Sequence, residues 1–586
     1  MSSKITQHST AEYFAKNLQQ VGFSSPTKAV LTTLKEAVDN SLDACEEAGL
    51  LPELDIQIKR VGTGSSKNTD LLEVIIEDNG PGIDPDILPS VFGEYLSSSK
   101  FGRGRCSRGQ QGIGISAATT WAQLTNAAGV QVTSKTKAMR KAISAQIDVD
   151  IKANKGVMKN KETIDWDRPH GTRVAFRIDG RAMMNGDGGL LTYLEGTTIV
   201  NPHLNLTYKI LDNDKVTVKR VSDIVPEIPT ATLPHPHTMK LGEFMTHSHL
   251  FGKINLDTFM KKGFSRVSDD TMKAFVKNGL PKPFLSKSVG SLSEEEFKKV
   301  FAAVHKTELM SPSTRSVLTI GEEGLAKSIQ RLGEIDFFSV VARKPRICDS
   351  KPVAVEVAIA RFISKTNLSG EAEQVQLLRF ANRVPLQFDK AACAITQAVE
   401  SVNWRSYGLG QSKDTLPMGP YVFAISVVSP FIKFKNASKE TIDASDELVE
   451  EIRRALMQAG QKLSRHIKRE SRAADLERKL LHIEKFGPIL VKYLGKLVGA
   501  PAPRIKRAEE GLAKLLGRDS KDAQAELDVA DTQLSQLKAK EKKKFGGADD
   551  DEDAGDEARV DEVSDEADEK SAEKASSKKK TTKKKR

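Results

Sequence analysis

Within Glu36-Ala-Val-Asp-Asn-Ser-Leu-Asp-Ala44 an acid, Glu36, and an amide, Asn40, stand one helical turn apart. Wound at about 100° per residue, Leu31, Leu34, Val38 and Leu42 form one apolar stripe, and Glu36, Asn40 and Asp43 gather opposite it. Such a helix packs along its stripe while presenting a carboxylate and a carboxamide to something polar. In isolation the same pattern describes a solvated helix face. A further carboxylate, Asp78, closes the β-branched run Leu72-Glu-Val-Ile-Ile-Glu-Asp-Asn-Gly-Pro-Gly-Ile83. It is held at a strand's end, beside Gly80 and Gly82, where the backbone is open to a flat ligand. A fixed carboxylate there can accept a hydrogen bond from an exocyclic amine such as that of adenine.

A third group is Arg108-Gly-Gln-Gln-Gly-Ile-Gly-Ile115, followed by the helical pattern Ser116–Leu124. Glycines at 109, 112 and 114 leading into a helix start expose backbone N–H groups and a positive dipole end, which suits phosphate. It is not a Walker A loop, because no Gly-Lys-Ser/Thr follows. The preceding Ser97-Ser-Ser-Lys-Phe-Gly-Arg-Gly-Arg105, with Ser99 and Lys100 at its centre, is small and basic, as expected of a lid over an anion. His170-Gly-Thr-Arg-Val174 places Thr172 at the start of a strand-like run.

These groups need elements to hold them. From about 25 to 210 helical and strand patterns alternate, which describes an α/β domain. We expect an N-terminal arm over 1–20, the α/β domain over 21–230, and a small helical insert over 231–310, where Gly263, Gly279, Pro281 and Pro283 break short helical patterns. A second α/β domain over 311–475 is expected from the strand-like runs Phe337–Ala342, Val353–Ile359 and Tyr421–Val428. It ends in a long helix whose stripe is Leu448, Ile452, Leu456, Ala459, Leu463 and Ile467, with no proline before Pro488. A helical extension over 476–545 precedes a disordered tail over 546–586, acidic and then lysine-rich. The 586 residues carry a net charge of +11, which permits a polyanionic partner without proving one. Four scattered cysteines and the lack of a signal peptide or an apolar span point to a soluble intracellular protein, expected to be cytoplasmic and nucleoid-associated.

The order of the motifs is more specific than any one of them. ExxxN on a helix, DxGxG after a strand, GxxGxG after a lid and Gly-Thr before a strand together resemble the GHKL ATPase superfamily of gyrase B-type subunits, Hsp90, MutL and histidine kinases. Gln110-Gln111 departs from the MutL pattern, and no phosphoacceptor-histidine helix is evident. Downstream, Ile199-Val-Asn-Pro-His203, Pro234-His-Pro-His237, Arg379-Phe-Ala-Asn-Arg-Val-Pro385 and Ser438-Lys-Glu-Thr-Ile442 resemble the B subunits of type IIB topoisomerases. The implied fold is α/β: a GHKL (Bergerat) sandwich, a small helix-two-turn-helix insert, and a transducer domain with a long C-terminal helix.

The resemblance implies roles residue by residue. Glu36 would activate the attacking water, Asn40 would ligate Mg²⁺, and Asp78 would read adenine with support from Gly80, Gly82 and Thr172. Gly109, Gln110, Gln111, Gly112, Ile113 and Gly114, with Ser99 and Lys100 of the lid, would bind the phosphates of ATP. Lys439 would reach the terminal phosphate from the transducer, with Lys435 and Lys433 as the competing lysines. Implied partners are double-stranded DNA, a second copy joined on ATP binding with exchange of the arm, and a separate A subunit in an A2B2 assembly; no membrane is implied. No Toprim-like acidic cluster or defensible DNA-attacking tyrosine is present, so strand cleavage is expected to reside in that A subunit, docked on the long helix from 443. The alternative is an ATP-driven clamp or chaperone without strand passage. The histidines 235, 237, 247 and 249 lack an acidic or cysteine partner spaced to complete a metal site.

Overall fold

A computed structural model describes residues 8–100, 104–109, 111–363 and 374–514, in two compact units, Met1–Lys468 and Arg469–Arg586. The first helix, α1 (Thr10–Lys16), is capped by Ser9, whose side chain accepts from Glu12 N. Phe14 stacks on Tyr95 with centroids 5.1 Å apart and Ala11 is fully buried. The segment expected as an arm therefore carries a helix seated on the following domain, because Ala11 and Phe14 give its polar sequence one apolar edge.

α2 (Pro26–Glu47) starts at Ser25, which caps Lys28 N, with Pro26 in the first turn where its missing N–H costs nothing. Leu31, Leu34, Val38 and Leu42 are at most 1% exposed, so the apolar stripe is the buried seam. The helix lies on a sheet of β1 (Glu53–Thr63), β2 (Asp70–Asp78), β3 (Val130–Lys135), β4 (Ala142–Asp150), β5 (Lys155–Ile164), β6 (Gly171–Gly180), β7 (Asn205–Ile210) and β8 (Val216–Val218). Their order is β5-β4-β3-β6-β2-β1-β7-β8, antiparallel except for the parallel β1–β7 pair. Alternate residues Leu54, Ile56 and Ile58 of β1 point into the core under the helices, as a one-sided sheet requires. α3 (Leu88–Gly93), α4 (Gly114–Asn126) and α5 (Leu190–Val200) complete the helical layer.

Next come α6 (Leu241–His249), α7 (Leu256–Gly263), α8 (Asp269–Lys277) and α9 (Glu294–Lys306) around a separate aromatic core of Phe244, Phe259, Phe264, Phe275 and Phe297. His235 and His237 tie the connector to this module through Nε2 contacts to the carbonyls of Met310 (3.2 Å) and Val304 (3.0 Å).

The second sheet follows α10 (Glu322–Gln330). It comprises β9 (Ile335–Ala342), β10 (Arg346–Cys348), β11 (Lys351–Phe362), β12 (Gln376–Ala381), β13 (Val384–Leu386) and, after α11 (Ala394–Ser401), β14 (Tyr421–Val428). The order is β10-β11-β14-β12-β13, with β9 on β11. All three expected strand runs lie in β9, β11 and β14, whereas the β12–β13 hairpin falls in a stretch without a strand pattern. The last helix, α12 (Asp446–Leu497), buries Ile452, Leu456, Ala459 and Leu463 completely against this sheet's core. It continues past Pro488, which removes one helix donor directly after Gly487, itself a poor helix former. In the second unit Leu512 and Ile505 of the helical stretch 502–514 face Gly487 and Gly495. The tail expected over 546–586, and the extension beyond 514, lie outside the described residues. No helix among the described residues is long and apolar enough to cross a membrane.

Leu34 is completely buried in the seam of α2. Leu34→Ala is expected to cost about 2–5 kcal/mol, read as an earlier first transition in denaturant unfolding with the helical content of the native chain unchanged.

Candidate active site

Asp78 ends β2 directly opposite Thr172 of β6. Its Oδ1 accepts from Gly80 N at 2.9 Å and Thr172 N at 3.1 Å, and its Oδ2 from Ser41 Oγ at 2.7 Å. Burial pushes this carboxyl up, against the pull of those three donors. A carboxylate has about four acceptor positions, so three donors fix the group and leave room for one more. Gly82 turns with φ +75° under the carbonyl of Lys135, and a β-carbon there would collide with that carbonyl. Ile83 N donates to Ser134 Oγ at 2.7 Å, which pins the turn's far side to β3.

Glu36 and Asn40 are the partly exposed positions on an otherwise buried length of α2. The Glu36 carboxylate lies against Gly114, the first residue of α4, where any β-carbon would collide with it. Asn40 Oδ1 faces Gly109, 3.5 Å from where a β-carbon would stand. The acid and the amide thus meet opposite ends of the glycine loop. Between them Gly112 has φ +60° beneath the carbonyl of Ser97, and its own carbonyl accepts from Leu96 N at 2.8 Å. Ile113 packs toward the first core. Asp39, buried on the same helix, has its carboxyl pushed up to about 6 by burial, against the attraction of Lys439.

Charges inside the fold hold this loop. Arg108 is 5% exposed and grips Glu46, the penultimate residue of α2, through Nη2–Oε1 at 2.7 Å and Nη1–Oε2 at 3.0 Å. Its Nη1 also donates to Asp43 Oδ1 at 2.7 Å, while Lys100 Nζ takes Asp43 Oδ2 at 2.5 Å. Burial alone would raise the Glu46 carboxyl, but Arg108, Arg383 and His203 hold it well below the usual carboxylate range. Burial would likewise raise Asp43, and Lys100 and Arg108 bring it below its ordinary value.

The loop from Lys433 to Asp443 approaches from the second sheet. Phe434 bridges Ile442, and Lys439 sits at the tip with φ +54°. Its Nζ donates to the Arg108 carbonyl at 2.9 Å, next to Gly109. Glu440 fixes the tip, accepting from Lys28 Nζ at 2.9 Å and from Asn436 Nδ2 at 3.1 Å.

The structure therefore gathers Glu36, Asn40, Gly109, Gly112, Gly114, Lys100 and Lys439 around one loop. Asp78, Gly80, Gly82 and Thr172 form a second group, joined to α2 through Ser41. Ser99 and Gln111 are exposed, and Gln110 lies outside the described residues. Asp43, expected on the polar face of α2, joins the site as the partner of Lys100 and Arg108, and Ser41, Glu46, Arg108, Asn201, His203 and Arg383 join it without having been assigned a role there. Three of them, Asn201, His203 and Arg383, lie in segments that stand out only for family resemblance. The signal for Ser41 is its place one residue after Asn40.

A bound cation would find few protein ligands here. Among the described residues no cluster of three or more His, Cys, Asp or Glu is arranged to hold a metal. One carboxamide beside a phosphate loop suits Mg²⁺ that arrives on phosphate and keeps most of its waters.

Residues 27–181 match the family of histidine kinase-, DNA gyrase B- and HSP90-like ATPases, and residues 312–479 match the topoisomerase VI B subunit transducer. Fold and site thus define a GHKL-type ATPase domain joined to a transducer. The chain is 35% identical over 523 residues to the B subunit of type 2 DNA topoisomerase 6 from Archaeoglobus fulgidus, covering 88% of this chain and 83% of that protein. The Methanococcoides burtonii protein of the same name is 36% identical, with 88% and 81% covered, and that of Pyrococcus furiosus 31%, with 85% and 93% covered. The chain belongs to the family of type 2 DNA topoisomerase 6 B subunits.

Glu46 gains stability from a lowered pKa, so its contribution is full above its ordinary value of 4.5 and is lost as pH falls through the folded value. Glu46→Gln is expected to lower unfolding free energy by on the order of 3 kcal/mol at neutral pH. The gap to the native chain should narrow below about pH 4.5 in denaturant titrations run across pH.

Proposed function

We propose that this chain binds and hydrolyses ATP at the α2–α4 site and uses the cycle to close and reopen a dimer around DNA. One duplex would pass through a double-strand break made by a separate A subunit, relaxing and decatenating DNA. The observation that carries the hydrolytic part is the Glu36 carboxylate lying against Gly114, at the start of the helix whose N-terminus closes the glycine loop. A general base must stand beside the group that water attacks, and a helix start with free N–H groups is where phosphate settles.

Position and the family resemblance together support these roles. Asp78, fixed by Ser41, Gly80 and Thr172, accepts the adenine amine with its remaining acceptor position. The N–H groups of Gly109–Gly114 and the Lys100 ammonium take phosphate oxygens, Lys100 exchanging Asp43 for the nucleotide. Glu36 orients water and takes its proton as the water oxygen bonds to the γ-phosphorus and the bond from that phosphorus to the bridging oxygen breaks, releasing ADP and phosphate. Mg²⁺, held at Asn40, would neutralise phosphate charge. Lys439, resting on the Arg108 carbonyl, moves to the terminal phosphate and turns its presence or loss into an angle between the domains.

The charge of +11 and the absence of a cleaving tyrosine in a defensible setting support DNA as the partner and a second protein as the nuclease. Purified alone, the chain is expected to hydrolyse ATP without relaxing supercoiled DNA. Adding a Toprim-bearing A subunit should produce ATP-dependent decatenation, and relaxation by the isolated chain would defeat this division of labour. Glu36→Ala should still bind ATP while hydrolysing it about 10²–10⁴-fold more slowly; hydrolysis at the native rate would remove Glu36 from the base role. Asp78→Asn should lose nucleotide binding with the fold retained by circular dichroism.

A further inference from the structure

The hairpin between β12 and β13 turns on two residues, Asn382 and Arg383, with φ of +48° and +64°. Positive φ at both centres is what a tight hairpin needs, yet neither residue is glycine. Asn382 is held by its own β-sheet: its N–H donates to the Val427 carbonyl at 3.0 Å and its Oδ1 accepts from Ser429 N at 2.9 Å. Arg383 is held by the other domain. Its Nη2 donates to Glu46 Oε1 at 3.0 Å and Asn201 Oδ1 at 2.9 Å, its Nη1 approaches Glu46 Oε2 at 3.3 Å, and its Nε reaches the Val200 carbonyl at 3.2 Å. The residue is 4% exposed.

Arg108 uses the same two acceptors. Its Nη2 donates to Glu46 Oε1 at 2.7 Å and to Asn201 Oδ1 at 2.6 Å, and His203 Nε2 stands 2.8 Å from the same Glu46 oxygen. Two buried guanidiniums therefore share one carboxylate and one carboxamide. Moving either leaves the shared carboxylate and carboxamide to the other alone, so neither guanidinium has its place set independently. Arg108 is also the residue whose carbonyl receives Lys439. The second domain thus holds Arg108 twice, by its backbone through Lys439 and by its side chain through the Glu46 shared with Arg383.

We propose that Arg383 is a positioning residue for ATP hydrolysis: through Glu46 it sets the place of Arg108 and hence of the phosphate loop that starts at Gly109. It is a link between transducer and ATPase domain that does not depend on the terminal phosphate, complementing Lys439, which does. The strained backbone at Arg383 fits this role, because a left-handed arginine persists only where its surroundings fix it. The inference rests on the ATPase reading above.

The test is steady-state ATP hydrolysis by the full chain, with the Kd of a non-hydrolysable ATP analogue measured alongside. Arg383→Met should lower kcat by at least about tenfold, the scale of a misplaced reacting group, with the analogue's Kd changed less than about threefold. Because Lys439 acts at the terminal phosphate and Arg383 acts through Glu46 and Arg108, the losses of Arg383→Met and Lys439→Ala should multiply in the double variant. A folded Arg383→Met with native kcat, or a double variant no slower than Lys439→Ala alone, would overturn the proposal. Should Arg383→Met fail to fold, Arg383→Lys carries the same expectation, since an ammonium keeps the charge but not the fork shared by Glu46 and Asn201. Misfolding of both variants would make Arg383 a structural residue and also overturn the proposal. A native chain that hydrolyses no ATP would instead remove the functional reading itself.

Discussion

A carboxylate buried without partners is too costly to keep ionised, and Glu46 is buried near the end of α2. Its partners come from three places far apart in sequence: Arg108 at the head of the glycine loop, His203 just after α5, and Arg383 on the β12–β13 turn. Satisfying one charge therefore requires the loop, the end of α5 and the second sheet to converge. Replacing such a cluster by apolar groups could give equal stability. What the ions add is that the convergence has one geometry, because two guanidinium forks and one carboxamide must be met together.

That geometry orders the rest of the site. With Arg108 fixed, Gly109 stands before Asn40, Gly114 before Glu36, and the Arg108 carbonyl offers a resting place to Lys439. The adenine-side group is built differently. Asp78 is placed by strand register with β6 and by the Ser41 hydroxyl, so it belongs to the rigid sheet. A rigid half and a half held by exchangeable ion pairs suit a site in which the base end stays still while the phosphate end reports to a second domain.

Much of this is legible in the sequence because it is local. The stripe of α2, the β-branched run into Asp78 and the glycines before α4 each signal through neighbours within a few residues, whereas the lysine in Ser438-Lys-Glu stands out only through the family resemblance. The Glu46–Arg383 contact, 337 residues apart, has no local signature at all. The β12–β13 hairpin is hidden because its turn uses Asn-Arg where a glycine would have announced positive φ. The helix within the expected arm is hidden for a related reason: its apolar edge is short, Ala11 and Phe14, and its partners, Tyr95 among them, lie far along the chain. Pro488 marks a boundary by its residue type, yet α12 absorbs it and runs on to Leu497.

In the proposed site the loop between Arg108 and Gly114 receives the phosphates of ATP, with Glu36 on one side and Lys439 arriving from the transducer. A crystal structure of the chain with Mg²⁺ and a non-hydrolysable ATP analogue tests it most directly. The expected complex has the adenine amine on Asp78, Asn40 on the metal, and the Lys439 ammonium moved from the Arg108 carbonyl to the terminal phosphate. A nucleotide bound elsewhere, or bound here with Lys439 still on that carbonyl and Lys435 or Lys433 on the phosphate, would contradict it.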